Sequence, residues 1–357
     1  MSSAFGDAAR LAWLALARAP QVGPVTFFQL LARFGSPEAA LRGVPSIRPD
    51  MDAARRELEA THEAGGRLLY AEDDAYPAAL GELSPPPPVL TVFGDAALFQ
   101  RSAVAIVGAR DASAAGRRMA RELASALGEA GLVIASGLAR GIDGEAHAAS
   151  LDTGTIAVLA GGADQVYPPQ HGDLYAAIRE RGLIVSERPL GRRATAQDFP
   201  RRNRIITGLS VGTVIVEAAE RSGSLISARM AGEQGREVMA VPGSPLDRRA
   251  AGTNRLLREG ATLIRHGEDV LEAISSQIGV SSTGFHPVLP LDPPDRPDVE
   301  DTGLPARILE ALSPTPLPIA EIARASGCSA RQCAACLMEL ELEGRALTHT
   351  GGLASRV

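Results

Sequence analysis

The 357-residue sequence predicts an α/β protein, a parallel β-sheet wrapped by helices, with a small helical unit before it and another small unit after it. Three observations carry that prediction. Between about residues 68 and 264, apolar runs of four or five residues alternate with amphipathic stretches of helical length, as in a sheet buried on both faces. Residues 7–62 show helical periodicity cut by Gly and Pro, without a strand-like run. Residues 275–303, rich in Ser, Pro and Asp, cannot bury enough apolar surface to fold alone and set off a C-terminal unit.

Taken in order, the first unit breaks at Val22-Gly23-Pro24, Gly35-Ser36-Pro37 and Gly43-Val44-Pro45. Short helices joined by Gly-containing turns resemble helix-hairpin-helix or SAM-like modules, in which the turn can hold a DNA phosphate. The turn at 20–26 carries no basic residue, which favours packing or interaction. Leu68, Leu69 and Tyr70 begin a strand, residues 85–88 are a rigid polyproline, and 89–93 (VLTVF) return to strand. The runs of the parallel sheet follow at 104–107 (VAIV), 132–135 (LVIA), 155–159 (TIAVL), 183–186 (LIVS), 213–216 (TVIV), 238–241 (VMAV) and 261–264 (ATLI). Helical stretches such as 116–130 and 174–181 lie between them. The expected organisation is a small all-helical domain at 1–66, an extended Rossmann-like domain at 67–274, a disordered linker at 275–302 and a last domain at 303–357. Ligands of such sheets bind beyond the carboxyl ends of the strands, at the switch point.

The formal net charge of −6 excludes a basic nucleic-acid coat, but the charge is uneven. Residues 1–103 carry 9 arginines against 12 acids, 104–275 carry 21 against 20, and 276–357 carry 6 against 10. A local patch can steer a polyanion although the whole is acidic. Every basic residue is arginine, so there is neither a Schiff-base lysine nor a P-loop lysine. No signal-peptide apolar region and no run of 18 apolar residues is evident, so the expected location is cytoplasmic and no membrane partner is expected. Cys328, Cys333 and Cys336 fall in a helical apolar pattern and read as small core residues in preference to a zinc site with His349.

The chemistry lies in the loops after the strands. Phe199 to Ser227 is the densest of them: Arg201, Arg202 and Arg204 flank Asn203, with Arg192 and Arg193 upstream and Asp198 opposing, an arginine-dense turn that reads as an anion trap. A strand then delivers Ser222, Gly223 and Ser224 to a helix N-terminus, where backbone N–H groups collect phosphate. After the first parallel strand, Gly108 permits close backbone approach and Arg110 offers a planar fork for phosphate. The dinucleotide fingerprint is not completed there, which argues against a nicotinamide cofactor. Gly137, Arg140 and Gly141 after the second strand fit a phosphate cradle. Asp143 and His147, four apart on a helix, read better as a cap and hydrogen bond holding that loop than as an acid–base pair, because no Ser or Cys nucleophile accompanies them. Gly161 and Gly162 permit tight turns after the third strand. Phe199 is either a face for base stacking or a buried loop anchor.

These residues together resemble one family. Val107-Gly108-Ala109-Arg110, the run from Ser136 to Asp143 with Ala146-His147, Tyr167-Pro168, Ser186-Glu187, the run from Phe199 to Ile206, Ser222-Gly223-Ser224-Leu225 and Val241-Pro242-Gly243 are similar, in order, to the DNA processing protein A (DprA/Smf) family. The resemblance spans roughly 68–272. It implies a Rossmann-like core that binds single-stranded DNA without strong sequence preference, forms a homodimer, and loads the RecA recombinase onto DNA while displacing single-strand binding protein, in natural transformation. It implies no enzyme activity, catalytic residue, metal or cofactor. By position it places Arg110 as the phosphate-gripping arginine, with Gly137, Arg140, Phe199, Arg202, Asn203 and the Ser222 to Ser224 loop along the same groove. Members commonly carry a lysine shortly before Phe-Pro where this chain has Ala196-Gln197-Asp198, so pocket charge is expected from Arg192 or Arg193. Ala109, His171 and Ser227 replace the usual serine, asparagine and threonine.

The tail is similar to the winged-helix-like unit of longer members: helices at 308–312, 319–325 and 329–343, and a wing at 346–353. Its last helix offers Arg331 and Gln332 against Glu339, Glu341 and Glu343, which favours a protein-contact or regulatory module over a duplex reader. The competing enzymatic reading is a nucleotide phosphoribohydrolase on a related core, with Glu217, Arg110 and Asp143 as its residues. The Pro-Gly-Gly-x-Gly-Thr loop of those enzymes is missing here.

Overall fold

A computed structural model describes residues 6–278, 303–349 and 351–357. Four helices open the chain: α1 (Asp7–Arg18), α2 (Pro24–Phe34), α3 (Pro37–Gly43) and α4 (Met51–Glu63). Their starts are local. Pro occupies the first turn of α2 and α3, where a missing N–H costs nothing, and the side chains of Ser36 and Asp50 accept from Ala39 N and Ala53 N to cap α3 and α4. Trp13 and Phe27 pack with ring centroids 4.9 Å apart in a core that includes Leu68, Tyr70 and Val89, and Trp13 Nε1 donates to Pro88 O at 2.9 Å. The helical unit is thereby seated on the polyproline connector.

The central domain runs β1 (Arg67–Tyr70), α5 (Ala78–Gly81), β2 (Val89–Gly94), β3 (Ala103–Val107), α6 (Ala114–Glu129), β4 (Val133–Ser136), α7 (Ile142–Ala149), β5 (Thr155–Gly162), α8 (Gly172–Arg181), β6 (Leu183–Arg188), α9 (Asp198–Gly208), β7 (Ser210–Ile215), α10 (Ser224–Glu233), β8 (Glu237–Ala240), α11 (Ala251–Arg258), β9 (Thr262–Leu263) and α12 (Gly267–Ile278). The nine strands form one sheet in the order β1-β2-β6-β5-β4-β3-β7-β8-β9. The two connector strands therefore join the sheet: β1 and β2 add antiparallel along β6, while the other pairs are parallel. Side-chain alternation fills both faces. Val104 and Ile106 of β3 face the layer of α6, α7 and α12, while Ala103, Ala105 and Val107 face the layer of α9 and α10.

Chain order makes the switch point explicit. From β3 the chain steps through β4 and β5 to β6 on one side, then α9 carries it back to place β7 on the other side of β3. The loops after β3 and β7 diverge, opening a crevice between neighbouring strand ends.

The arginine-rich segment expected as a turn is instead the first two turns of α9. This is a correction with a geometric cause. In an α-helix successive residues rotate by about 100°, so Arg202 turns away from Arg201, while Arg201 and Arg204, three apart, stay about 60° from each other.

The last unit consists of α13 (Leu304–Ala311), β10 (Leu317–Pro318), α14 (Ile319–Ser326), α15 (Ala330–Leu342), β11 (Ala346–His349) and β12 (Leu353–Arg356), with the strands paired β10-β12-β11. This is a winged-helix domain. A capping box between Ser329 and Gln332 starts α15. Cys333 and Cys336 are buried in its core, and burial pushes both thiols up; among the described residues no group of three His, Cys, Asp or Glu could hold a metal ion. The domain rests on α6: Ala114 and Ala115 pack into its core, and Arg121 Nη2 meets Glu321 Oε2 at 2.8 Å. The expected linker falls largely in 279–302, outside the described residues.

Candidate nucleic-acid interface

A cavity of about 570 Å³ opens at the switch point. Its lining comes chiefly from Gly108, Arg110 and neighbours after β3, Phe199, Arg202 and Asn203 on α9, and Arg221 through Ser224 before α10, with Ala139 and Asp143 after β4 and Arg249 beyond β8 completing it. Eight residues expected from the sequence thus meet there: Gly108, Arg110, Phe199, Arg202, Asn203, Ser222, Gly223 and Ser224.

Arg110 is exposed, and its guanidinium lies over the Phe199 ring, 5.1 Å from the centroid. Tyr167, 53 % exposed, meets Phe199 edge-on, the ring centroids 5.6 Å apart and the planes at 60°. A planar cation, an aromatic face and a second aromatic form a group suited to a phosphate beside stacked bases. Phe199 is half-buried, so part of its ring is covered and part is open at the cavity.

The three α9 arginines differ in their surroundings. Arg201 is exposed and makes no ion pair among the described residues. Arg204 is turned toward β6, where it pairs with Glu187 and donates to Pro85 O at 3.3 Å. Arg202 is buried at 7 % exposure. Its Nη1 donates to Gly137 O at 2.6 Å and to Val158 O, and burial pushes its pKa down to about 10 against the pull of Asp143. It is a strut that reaches the cavity wall.

That strut explains the glycines after β4. A Cβ on Gly137 would stand 2.2 Å from Arg202 Nη1, and one on Gly141, at φ +76°, would meet Ala109 O at 2.3 Å. Neither glycine lines the cavity. Their loop spends its own donors: Asp143 Oδ2 accepts from Gly137 N at 3.1 Å and Ala139 N at 3.4 Å, and His147 Nε2 accepts from Leu138 N at 3.3 Å. With Nε2 accepting, Nδ1 carries the proton toward Thr155 Oγ1 at 2.7 Å. Burial holds His147 neutral, its pKa depressed to about 3, and burial raises the Asp143 carboxyl. Both act as loop supports that do not face each other as acid and base. Arg140 points outward, 3.4 Å from Asp111.

On the far wall Ser222 Oγ and Ser224 Oγ share a hydrogen bond of 2.7 Å, and Gly223 precedes α10 without a side-chain cap. The helix presents its positive end to the cavity, a favourable place for an anion. Glu217, at the end of β7, is committed elsewhere. It accepts from Ser113 N at 2.9 Å and from Ser113 Oγ, fixing the start of α6, and burial raises its carboxyl despite those donors. Asp198 is held below the usual carboxylate range: burial opposes ionisation, but donors from Thr195 and Arg188 outweigh it. Arg192 and Arg193 are exposed on the loop before α9, outside the lining of the cavity.

Two lining arginines escape the sequence reading. Arg221 directly precedes Ser222 and could have been found by extending the polar loop by one residue. Arg249 lies beyond β8, where nothing local in the sequence indicates the cavity.

The DNA recombination-mediator protein A family model matches residues 67–275, the DprA winged helix domain model residues 292–352, and the DprA-like N-terminal HHH domain model residues 7–64. Protein Smf of Escherichia coli (strain K12) is 39% identical over 289 residues, covering 80% of this chain and 76% of that protein. DNA processing protein DprA of Streptococcus pneumoniae is 43% identical over 201 residues, covering 56% of this chain and 71% of that one. Among solved structures, DNA processing protein A from Streptococcus pneumoniae aligns with a TM-score of 0.64 at 32% identity, over 74% of this chain and 95% of that chain. The Helicobacter pylori protein, whose structure is described for its single-stranded DNA binding mode, aligns with a TM-score of 0.55 at 30% identity, over 59% and 96%. With its whole sheet domain matched and relatives of this identity, the chain belongs to the DprA/Smf family of DNA recombination-mediator proteins.

Proposed function

We propose that this protein binds single-stranded DNA at the switch-point cavity, with little sequence preference, and hands it as a homodimer to the RecA recombinase during DNA uptake and recombination. The observation that carries the reading is Arg110 over the Phe199 ring, with Tyr167 beside that ring, facing the N-terminus of α10 across the cavity that Arg110 and Phe199 line. A phosphate is served by Arg110, Arg221 and the helix end, and a base by the aromatic faces, none of which reads base edges. RecA loading, the dimer and displacement of single-strand binding protein rest on family membership. Among the described residues no helix is long and apolar enough to cross a membrane.

The phosphoribohydrolase reading needs a carboxylate free to act on a sugar. Glu217 is taken by Ser113 and Asp143 by the 137–139 loop, which favours the binding reading. The test is titration of fluorescent oligo-dT at two salt concentrations, with release of free base from nucleoside monophosphates assayed in parallel. Binding should weaken steeply with salt as counterions are released, Arg110→Ala should weaken oligonucleotides of all sequences alike, and no base should appear. Glu217-dependent base release, or wild-type affinity in Arg110→Ala, would overturn it.

A further inference from the structure

Arg249 lines the cavity, yet its donors are divided between Asp247 beside it and carbonyls of another domain. Its Nε and Nη2 reach Asp247 Oδ1 at 3.1 Å and Oδ2 at 3.0 Å, while Nη1 donates to Glu310 O and Nη2 to Leu312 O, each at 2.7 Å. Glu310 and Leu312 stand at the C-terminal end of α13, where orphan carbonyls carry partial negative charge. The side chain is 17% exposed, so the winged-helix domain both caps its helix with this arginine and withholds it from the cavity.

Among the described residues the docking surface also includes the Arg121–Glu321 pair and the small side chains of Ala114 and Ala115, which pack into the domain core. α6, which carries those contacts, begins at the end of the loop that supplies Gly108 and Arg110, so the domain seat and the cavity share a wall. Relative motion is the default between domains of one chain whose interface is not large and apolar.

We propose that Arg249 is a DNA-binding arginine held in reserve: with the winged-helix domain docked it caps α13, and with the domain lifted it turns to a phosphodiester in the cavity. Docking and DNA binding then oppose each other. By linkage, the factor by which undocking tightens DNA binding equals the factor by which DNA loosens docking. The proposal rests on the reading of the cavity as a single-stranded DNA site.

The experiment uses the full chain. Hydrogen exchange is followed in residues 304–312 with and without oligo-dT, and oligo-dT affinity is measured for wild type, Glu321→Arg, the milder Glu321→Ala, and Glu321→Arg combined with Arg249→Ala. Melting curves confirm folding. Oligo-dT should speed exchange in 304–312. Glu321→Arg, which sets like charges against Arg121, should bind about 5-fold tighter or more, Glu321→Ala should shift the same way by less, and removing Arg249 should erase the gain. Unchanged exchange, absence of tightening in folded Glu321 variants, or a gain that survives Arg249→Ala overturns the latch while leaving the cavity reading intact. Failure of the wild type to bind oligo-dT overturns both.

Discussion

Arg202→Ala should be a stability variant first and a binding variant second. In the folded protein the guanidinium supplies Gly137 O and Val158 O and sets a positive charge against the buried Asp143. Truncation removes the donor from two carbonyls in the interior, at about 1–3 kcal/mol for each one left unsatisfied. It also strips Asp143 of its compensating charge, the kind of change that costs roughly 3–5 kcal/mol in a buried pair. Recovered desolvation of the guanidinium offsets part of this, so a net loss of about 3–5 kcal/mol is expected. For a domain of this size each kcal/mol moves the Tm by about 2–4 °C, placing the drop at roughly 6–20 °C. Thermal melting by circular dichroism measures it. Two comparisons give the argument its edge. Arg110→Ala, at an exposed side chain, should melt within about 2 °C of wild type, and Arg202→Met combined with Asp143→Asn should recover part of the loss because the orphaned charge is gone while the amide still accepts from Gly137 N. An Arg202→Ala protein that melts within about 2 °C of wild type would refute the reasoning.

The neutral, buried His147 predicts a pH dependence. Unfolded, it titrates near 6.5; folded, near about 3. Between those values the unfolded chain binds more protons, so this residue's contribution is complete above about pH 6.5 and is lost as pH falls toward 3, by at most about 1.4 kcal/mol per unit. Urea unfolding at pH 7 and pH 5 should show wild type losing about 2 kcal/mol more than His147→Gln over that interval; equal losses would remove the assignment. The helical division of α9 gives a second contrast. Arg201→Ala should weaken oligo-dT binding without changing Tm, whereas Arg204→Ala, which loses Glu187 and Pro85 O, should lower Tm and leave affinity within about twofold. Reversed phenotypes would mean that the exposed and the partnered arginine of α9 are misassigned.

Much was legible from composition and pattern because it depends on neighbours in the chain. Alternating apolar runs and helical stretches specify a sheet covered on both faces, and Gly108, Arg110 and Ser222 to Ser224 follow strands whose ends can be read from hydrophobicity alone. The structural reading of Asp143 and His147 was also available, since four residues on a helix put both beside the preceding loop. What misled was the arginine cluster, whose density suggested a single anionic site. Once it is helical, Arg202 turns inward, Arg204 is taken by Glu187, and Arg201 stays exposed outside the cavity lining, where the arginines that remain for a ligand are Arg110 and Arg221.

The sequence by itself determined the order of elements, the strand-end placement of the polar loops and the family. Tertiary structure decided which side chains are free. Whether an arginine is a ligand, a strut or a latch depends on which carbonyls and carboxylates surround it, and those come from distant segments: Val158 for Arg202, Glu187 for Arg204, Glu310 and Leu312 for Arg249. A buried or partnered guanidinium has already spent its donors, and nothing in its local sequence records the expense.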